Sequence, residues 1–120
     1  MISEKEKKAI STFVNTFGGS YQKLDPLDVD FKIFDDSNKL IAYAEVVIHP
    51  RNVRNAYPLS IPVTKISKLL DKRITSVIIW YCDDGIIYGK PRNITGQIMF
   101  LSDDLMAVYE KQKGFKYVRH

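Results

Sequence analysis

VDFKIFDDSNKLIAYAEVVI, residues 29–48, is the stretch that decides the fold. Val29, Phe31 and Ile33 alternate with Asp30 and Lys32, the period-two pattern of a half-buried strand. Asp35-Asp36-Ser37-Asn38 supplies turn chemistry, and LIAYAEVVI runs back as a second strand, paired to the first in a hairpin. The return strand reads as buried, yet it carries Glu45 among Ala42, Tyr43, Ala44, Val46, Val47 and Ile48. A glutamate is almost never fully buried unless it is paired or coordinates something. An ionised carboxylate left alone in low dielectric is costly, or its pKa rises until it is neutral. The fold question is therefore also a functional one: what does Glu45 hold?

Upstream of the hairpin, residues 3–17 read as a helix. Ser3 and Glu6 fit a capping box, and Ile10, Phe13, Val14 and Phe17 form a stripe at helical spacing. Gly18-Gly19 ends it, and SYQKLDPLD (20–28) follows as a polar connector punctuated by Pro26. Downstream, HPRNVRNAYPLSIP (49–62) reads as a loop because Pro50, Pro58 and Pro62 discourage regular structure. A second helix is expected over 63–72, with Val63, Ile66, Leu69 and Leu70 on its apolar side. TSVIIWYC (75–82) is a strand apolar enough to be central, and Asp83-Asp84-Gly85 turns it into IIYGK (86–90). ITGQIMF (94–100) reads as one more strand, and SDDLMAVYEKQ (102–112) as a short helix capped by Ser102 or Asp103. The tail GFKYVRH takes no assignment. The order α-β-β-α-β-β makes an α/β or α+β domain, read here as α/β with a small mixed sheet flanked by helices.

The 120 residues fit one domain, 1–120, large enough to bury a real core. Apolar residues at 45% and charged residues at 27% are those of a globular protein rather than a disordered one. No apolar run reaches the length of a membrane span, and the charged start MISEKEKKAI reads against a signal peptide. The single Cys82 excludes an internal disulfide framework and suits a reducing compartment, so a cytoplasmic protein with no membrane partner is expected. The net charge of +4 is compatible with a phosphate-binding face without demanding one. There is no glycine-rich phosphate loop, zinc spacing or nucleophile elbow, so no nucleotide cofactor is expected.

Two constellations carry chemistry. The hairpin can bring Asp30 and Glu45 to within one metal ion of each other, and Mg²⁺ is usually held by one or two carboxylates plus substrate phosphate oxygens. Asp28 would share the strand face of Asp30 as a backup ligand, and Glu6 or Glu4 on the first helix would add a carboxylate if that helix crosses the sheet. The plainer reading is that Glu45 faces solvent or pairs with Arg51 or Lys65. The second constellation is basic: Arg51, Arg54, Lys65 and Lys68, with Tyr57 interleaved. Such cations near a carboxylate–metal centre would meet nucleic-acid phosphates; the plainer reading is a solvated helix face. His49 is a weaker candidate, as a proton shuttle. Cys82 lacks a dedicated histidine partner, which argues against a nucleophilic thiol. Trp80, Tyr81, Tyr88 and Phe100 read as core or sheet aromatics.

Helix, DVDFKIFD, turn, AYAEVV, proline-rich loop, lysine-bearing helix and SVIIWYCDDGIIYGK together resemble the PD-(D/E)xK nuclease superfamily, in particular its small single-domain phage or virus-type members. The resemblance covers roughly residues 3–90 and implies a restriction-endonuclease-like core. It further implies a DNA endonuclease dependent on Mg²⁺ or Mn²⁺ with little sequence specificity, in which Asp30 and Glu45 hold the metal. Arg51, Arg54, Lys68 and Tyr57 would bind DNA, and a homodimer would serve to cut both strands. In a viral setting the protein would sit in the host cytoplasm or with the virion. The family places a lysine two residues after the second acid, and that position is Val47. Lys65 is the substitute, carried on a neighbouring element. The alternative is a nuclease-like domain without catalysis, serving nucleic-acid binding or virion assembly; a third reading is a structural protein with no nucleic-acid partner.

Overall fold

A computed structural model describes residues 2–25 and 28–120, a mixed α/β fold whose sheets are mostly antiparallel. Helix α1 (Glu4–Phe17) starts on the expected capping box: Ser3 Oγ accepts from the Glu6 N–H at 3.1 Å, and Glu6 Oε1 accepts from the Ser3 N–H at 3.4 Å. It stops at Gly18 and Gly19, both at positive φ. A Cβ on Gly19 would collide with the Phe34 carbonyl, so only glycine lets the chain enter the first strand there.

Strand β1 (Ser20–Lys23) pairs antiparallel with β2 (Phe31–Phe34), which pairs antiparallel with β3 (Leu40–Ile48). The β2–β3 turn is held by Asp35, whose Oδ1 accepts from the Ser37 and Lys39 N–H groups, both at 2.9 Å. After a 3-10 turn at Val53–Asn55 come β4 (Leu59–Pro62), helix α2 (Val63–Leu70) and β5 (Thr75–Tyr81). β5 runs parallel to β3 and sets Glu45 opposite Ile78. β6 (Gly85–Gly89) and β9 (Lys116–Arg119) complete a six-stranded sheet in the order β1-β2-β3-β5-β6-β9. β7 (Gln97–Leu101) and β8 (Asp104–Tyr109) join β4 in a second sheet, ordered β4-β8-β7.

The large sheet is covered on both faces, and strand alternation sorts its residues. Ala42, Ala44 and Val46 of β3 and Val77 and Ile79 of β5 pack with Ala9, Ile10 and Val14 of α1. Tyr43 and Val47 of β3, with Ile78 and Trp80 of β5, pack against Ile66 and Leu69 of α2, Leu59 and Ile61 of β4, and Ala107 and Tyr109 of β8. Trp80 ties the layers together, its Nε1–H donating to the Ser60 carbonyl at 2.8 Å. Glu45 has the parity of Tyr43 and Val47. A strand buried on both faces explains the nearly unbroken apolar run, and it leaves Glu45 no solvent face to choose.

Several elements differ from expectation. Residues 102–112 form no helix: Ser102 and Asp103 take positive φ of 50° and 70°, a hairpin turn between β7 and β8. The connector at 20–28 contains β1, the loop at 49–62 contains β4, and the unassigned tail supplies β9. Of the aromatics expected in core or sheet, Phe100 is a sheet residue, 73% exposed on the edge strand β7. No helix among the described residues is long and apolar enough to cross a membrane.

Candidate active site

Asp30 sits just ahead of β2, where β1, β2 and β3 converge. Its carbonyl accepts the Leu24 N–H at 3.0 Å, and its Oδ2 accepts the Val46 N–H at 2.8 Å. β2 pairs with β3 only from Phe31 onward, so the side chain of Asp30 takes a β3 donor that a longer strand would have bonded through its main chain. That bond fixes the carboxylate beside Glu45.

Glu45 is 1% exposed, and neither of its oxygens meets a hydrogen-bond donor among the described residues. The cation nearest in geometry is Lys65, which reaches across from α2. Its Nζ lies 3.5 Å from Glu45 Oε2 and 3.6 Å from Asp30 Oδ2, and it donates to the Val46 carbonyl at 3.2 Å. On the other side Lys23 Nζ donates to Asp30 Oδ1 at 3.3 Å and lies 4.0 Å from Glu6 Oε2. The ionisable groups thus run Glu6, Lys23, Asp30, Lys65, Glu45.

The two carboxyl groups titrate in opposite directions. Burial pushes Glu45 up to about 8, reinforced by the adjoining Asp30 and opposed by the charges of Lys65 and Lys68. Burial also acts to raise Asp30, but the Glu45 carboxyl, the Val46 N–H and the charges of Lys65 and Lys23 outweigh it and hold Asp30 below its ordinary value. Near neutral pH the pair therefore shares one proton, which resides on Glu45. A divalent cation would displace that proton.

The donor set fits such an ion. Glu45 offers two oxygens without donors, Asp30 offers a carboxylate already fixed, and two carboxylates are what Mg²⁺ usually takes from a protein. Among the described residues no three His, Cys, Asp or Glu side chains cluster to form a complete cage, so water and substrate oxygens would complete the sphere.

The other candidates fall elsewhere. Asp28 does not join the pair: its Oδ1 lies 2.8 Å from Lys72 Nζ and accepts the Val29 N–H at 2.7 Å. Residues 28–30 precede β2 instead of lying in it, so the same-face rule for i and i+2 does not apply. Glu6 touches the site only through Lys23. Lys68 is half-buried one helical turn past Lys65, and its charge acts on Glu45. Arg51 and Arg54 are exposed; Arg54 and Tyr57 line a separate cavity. Tyr57 is half-buried with its ring centre 5.6 Å from that of Phe115, part of the core margin. His49 is occupied, its Nε2 2.7 Å from the Ala56 carbonyl. Cys82 is buried, and burial with the charges of Asp84 and Asp83 pushes its thiol up to about 12, far from a reactive thiolate. Lys23 escaped the sequence reading. Its only signal was the alternation of Tyr21 and Lys23 after Gly-Gly, which marks a strand that delivers both side chains onto Phe31.

No family model, curated protein or solved structure matches the chain.

Proposed function

We propose that the chain is a metal-dependent DNA endonuclease of the PD-(D/E)xK type, cutting phosphodiester bonds with little sequence discrimination. The observation that carries this reading is the buried Glu45 facing Asp30, with the Lys65 ammonium within 3.6 Å of both carboxylates. A helix followed by antiparallel strands, a second helix and a strand parallel to β3 supports a restriction-endonuclease-like core.

Asp30 and Glu45 would hold Mg²⁺ or Mn²⁺, which would supply charge neutralisation at the phosphate and an acidified water. Val47 shares the face of Glu45 at the family's lysine position, and it is half-buried in the cluster around Trp80. Lys65 brings the ammonium from α2 instead. There it can donate to the phosphate or orient the attacking water, while the Glu45 carboxyl, the Val46 N–H and the charges of Lys65 and Lys23 together keep Asp30 ionised. Lys68 extends the positive face along α2.

A plasmid-nicking assay with Mg²⁺ or Mn²⁺ tests the reading: cleavage is expected, and it disappears in Glu45→Gln and Asp30→Asn. Val47 at the motif position favours a second reading, a nuclease-like domain that binds nucleic acid or serves assembly without cutting. DNA binding with a steep salt dependence and no nicking under any divalent ion is the result that would select it.

A further inference from the structure

A concavity of about 410 Å³ lies between the 3-10 turn at Val53–Asn55, the segment 111–115 and β9, and none of its lining residues belongs to the acidic centre. Arg54, Lys111, Lys116 and Arg119 line it. Among the described residues none of these cations takes an ion pair; the ion-paired lysines are Lys23, Lys65 and Lys72. The one acid on the wall, Asp84, has its Oδ1 committed to the Val53 N–H at 2.8 Å. Unpaired cations grouped around one hollow raise the local positive potential and call for an anion.

Tyr57, Phe115 and Tyr117 supply an aromatic part of the wall, beside the aliphatic Val53 and Ile87 and the polar Gln112. Tyr117 is 58% exposed and Phe115 half-buried. The β6 ladder sets Tyr117 opposite Ile87 and Arg119 opposite Gly85, so both fall on one face of β9. The end of that strand is pinned, with the His120 N–H donating to the Asp84 carbonyl at 3.2 Å. Unpaired cations beside an exposed ring are the elements of single-strand recognition, where phosphates meet the cations and a base stacks on the ring. An acidic peptide would use the cations and leave the rings idle. The volume lies in the range of small-ligand sites and admits a nucleotide unit, not a duplex.

We propose that this cavity binds a single-stranded DNA segment, its phosphates on Arg54, Lys111 and Arg119 and a base against Tyr117. The choice of DNA among polyanions rests on the nuclease reading, and it makes DNA with an unpaired stretch the substrate class.

The test is fluorescence anisotropy with the full chain in EDTA, where nothing is cut, using a labelled oligo-dT and a labelled hairpin duplex. Arg54→Ala and Arg119→Ala should each weaken oligo-dT about tenfold, and together flatten the salt slope by about 1.4. Tyr117→Ala should cost about 5- to 160-fold, while Arg54→Lys and Arg119→Lys, which keep the charge, should bind close to wild type. Three results overturn the proposal: oligo-dT affinity unchanged in the alanine variants, the hairpin weakened by the same factor, or polyglutamate competing as well as unlabelled oligo-dT. Intact oligo-dT binding without plasmid nicking overturns the nuclease reading and leaves the cavity standing.

Discussion

Glu45→Gln should make the protein more stable in mildly alkaline solution while abolishing cleavage. Glu45 titrates at about 8 in the folded chain against an ordinary 4.5. Between those values the folded state binds more protons than the unfolded chain, so stability falls as pH rises through that window. At about 1.4 kcal/mol per pH unit, the loss approaches about 5 kcal/mol by the upper end. Asp30 works in the opposite sense at lower pH. Its depressed pKa contributes stability above the ordinary value of 3.8, which is lost as pH falls through the folded value. The wild-type melting temperature should therefore peak on the acid side and decline toward pH 8. A glutamine has no such titration, and its amide can donate to Asp30. Allowing for relaxation around the buried carboxylate, the variant should exceed wild type at pH 8 by about 2–4 kcal/mol, on the order of 8–15 °C in melting temperature, and match it near pH 5. Melts followed by circular dichroism across this range read the effect. A wild-type curve that stays flat or rises from pH 5 to 8 would refute the buried, proton-holding role of Glu45. Mg²⁺ adds a second axis: at pH 8 it should raise the melting temperature of wild type but not of Glu45→Gln. An equal rise in both would remove Glu45 as a ligand.

Lys65→Met should keep the fold and lower plasmid nicking by about 10²–10⁴-fold; nicking at the wild-type rate would exclude Lys65 from the chemistry. Adding Val47→Lys to Lys65→Met should restore at least a tenth of the lost activity, since the new ammonium enters from the face of Glu45; no gain over Lys65→Met would separate this site from the family geometry. Trp80→Phe leaves the Ser60 carbonyl without the indole donor, and urea unfolding should register a loss of about 1–3 kcal/mol. Phe100→Ser, on an exposed edge strand, should shift stability by less than about 0.5 kcal/mol, and a larger drop would mean that β7 is covered.

Local chemistry explains which elements could be read from the chain. The Ser3–Glu6 capping box, the Asp35 turn and the unbroken apolar run of the strand at 75–82 are each written within a few residues, and each appears where the pattern puts it. β1, β4 and β9 are four residues long each, and their ladders are completed by partners from elsewhere in the chain, so little in their own composition announces them. The segment 102–112 misleads for a different reason. Leu105, Met106 and Ala107 are good helix formers, but two successive positive φ values at Ser102 and Asp103 commit the chain to a hairpin, with Ala107 and Tyr109 turned inward at period two. That turn lacks the glycine that usually betrays one.

The site divides along the same line. Asp30 and Glu45 were legible as a pair because one hairpin joins them. Asp28 was not separable from Asp30, because that requires knowing that β2 begins at Phe31. Lys23 was hidden because its strand was. Lys65 shows most clearly what a spacing motif encodes. Carboxylates 3.5–3.6 Å from an ammonium do not register which strand or helix carries it. A lysine at position 47 would place its stem in the cluster around Trp80, where Val47 packs. Supplied from α2, the stem crosses a partly exposed margin, its side chain 34% accessible, and only the charged end enters the acidic pocket. The valine packs at the core margin and the helix delivers the charge, so on the proposed nuclease reading Glu-Val-Val is compatible with an intact centre, and the Lys65→Met background is where Val47→Lys can show it.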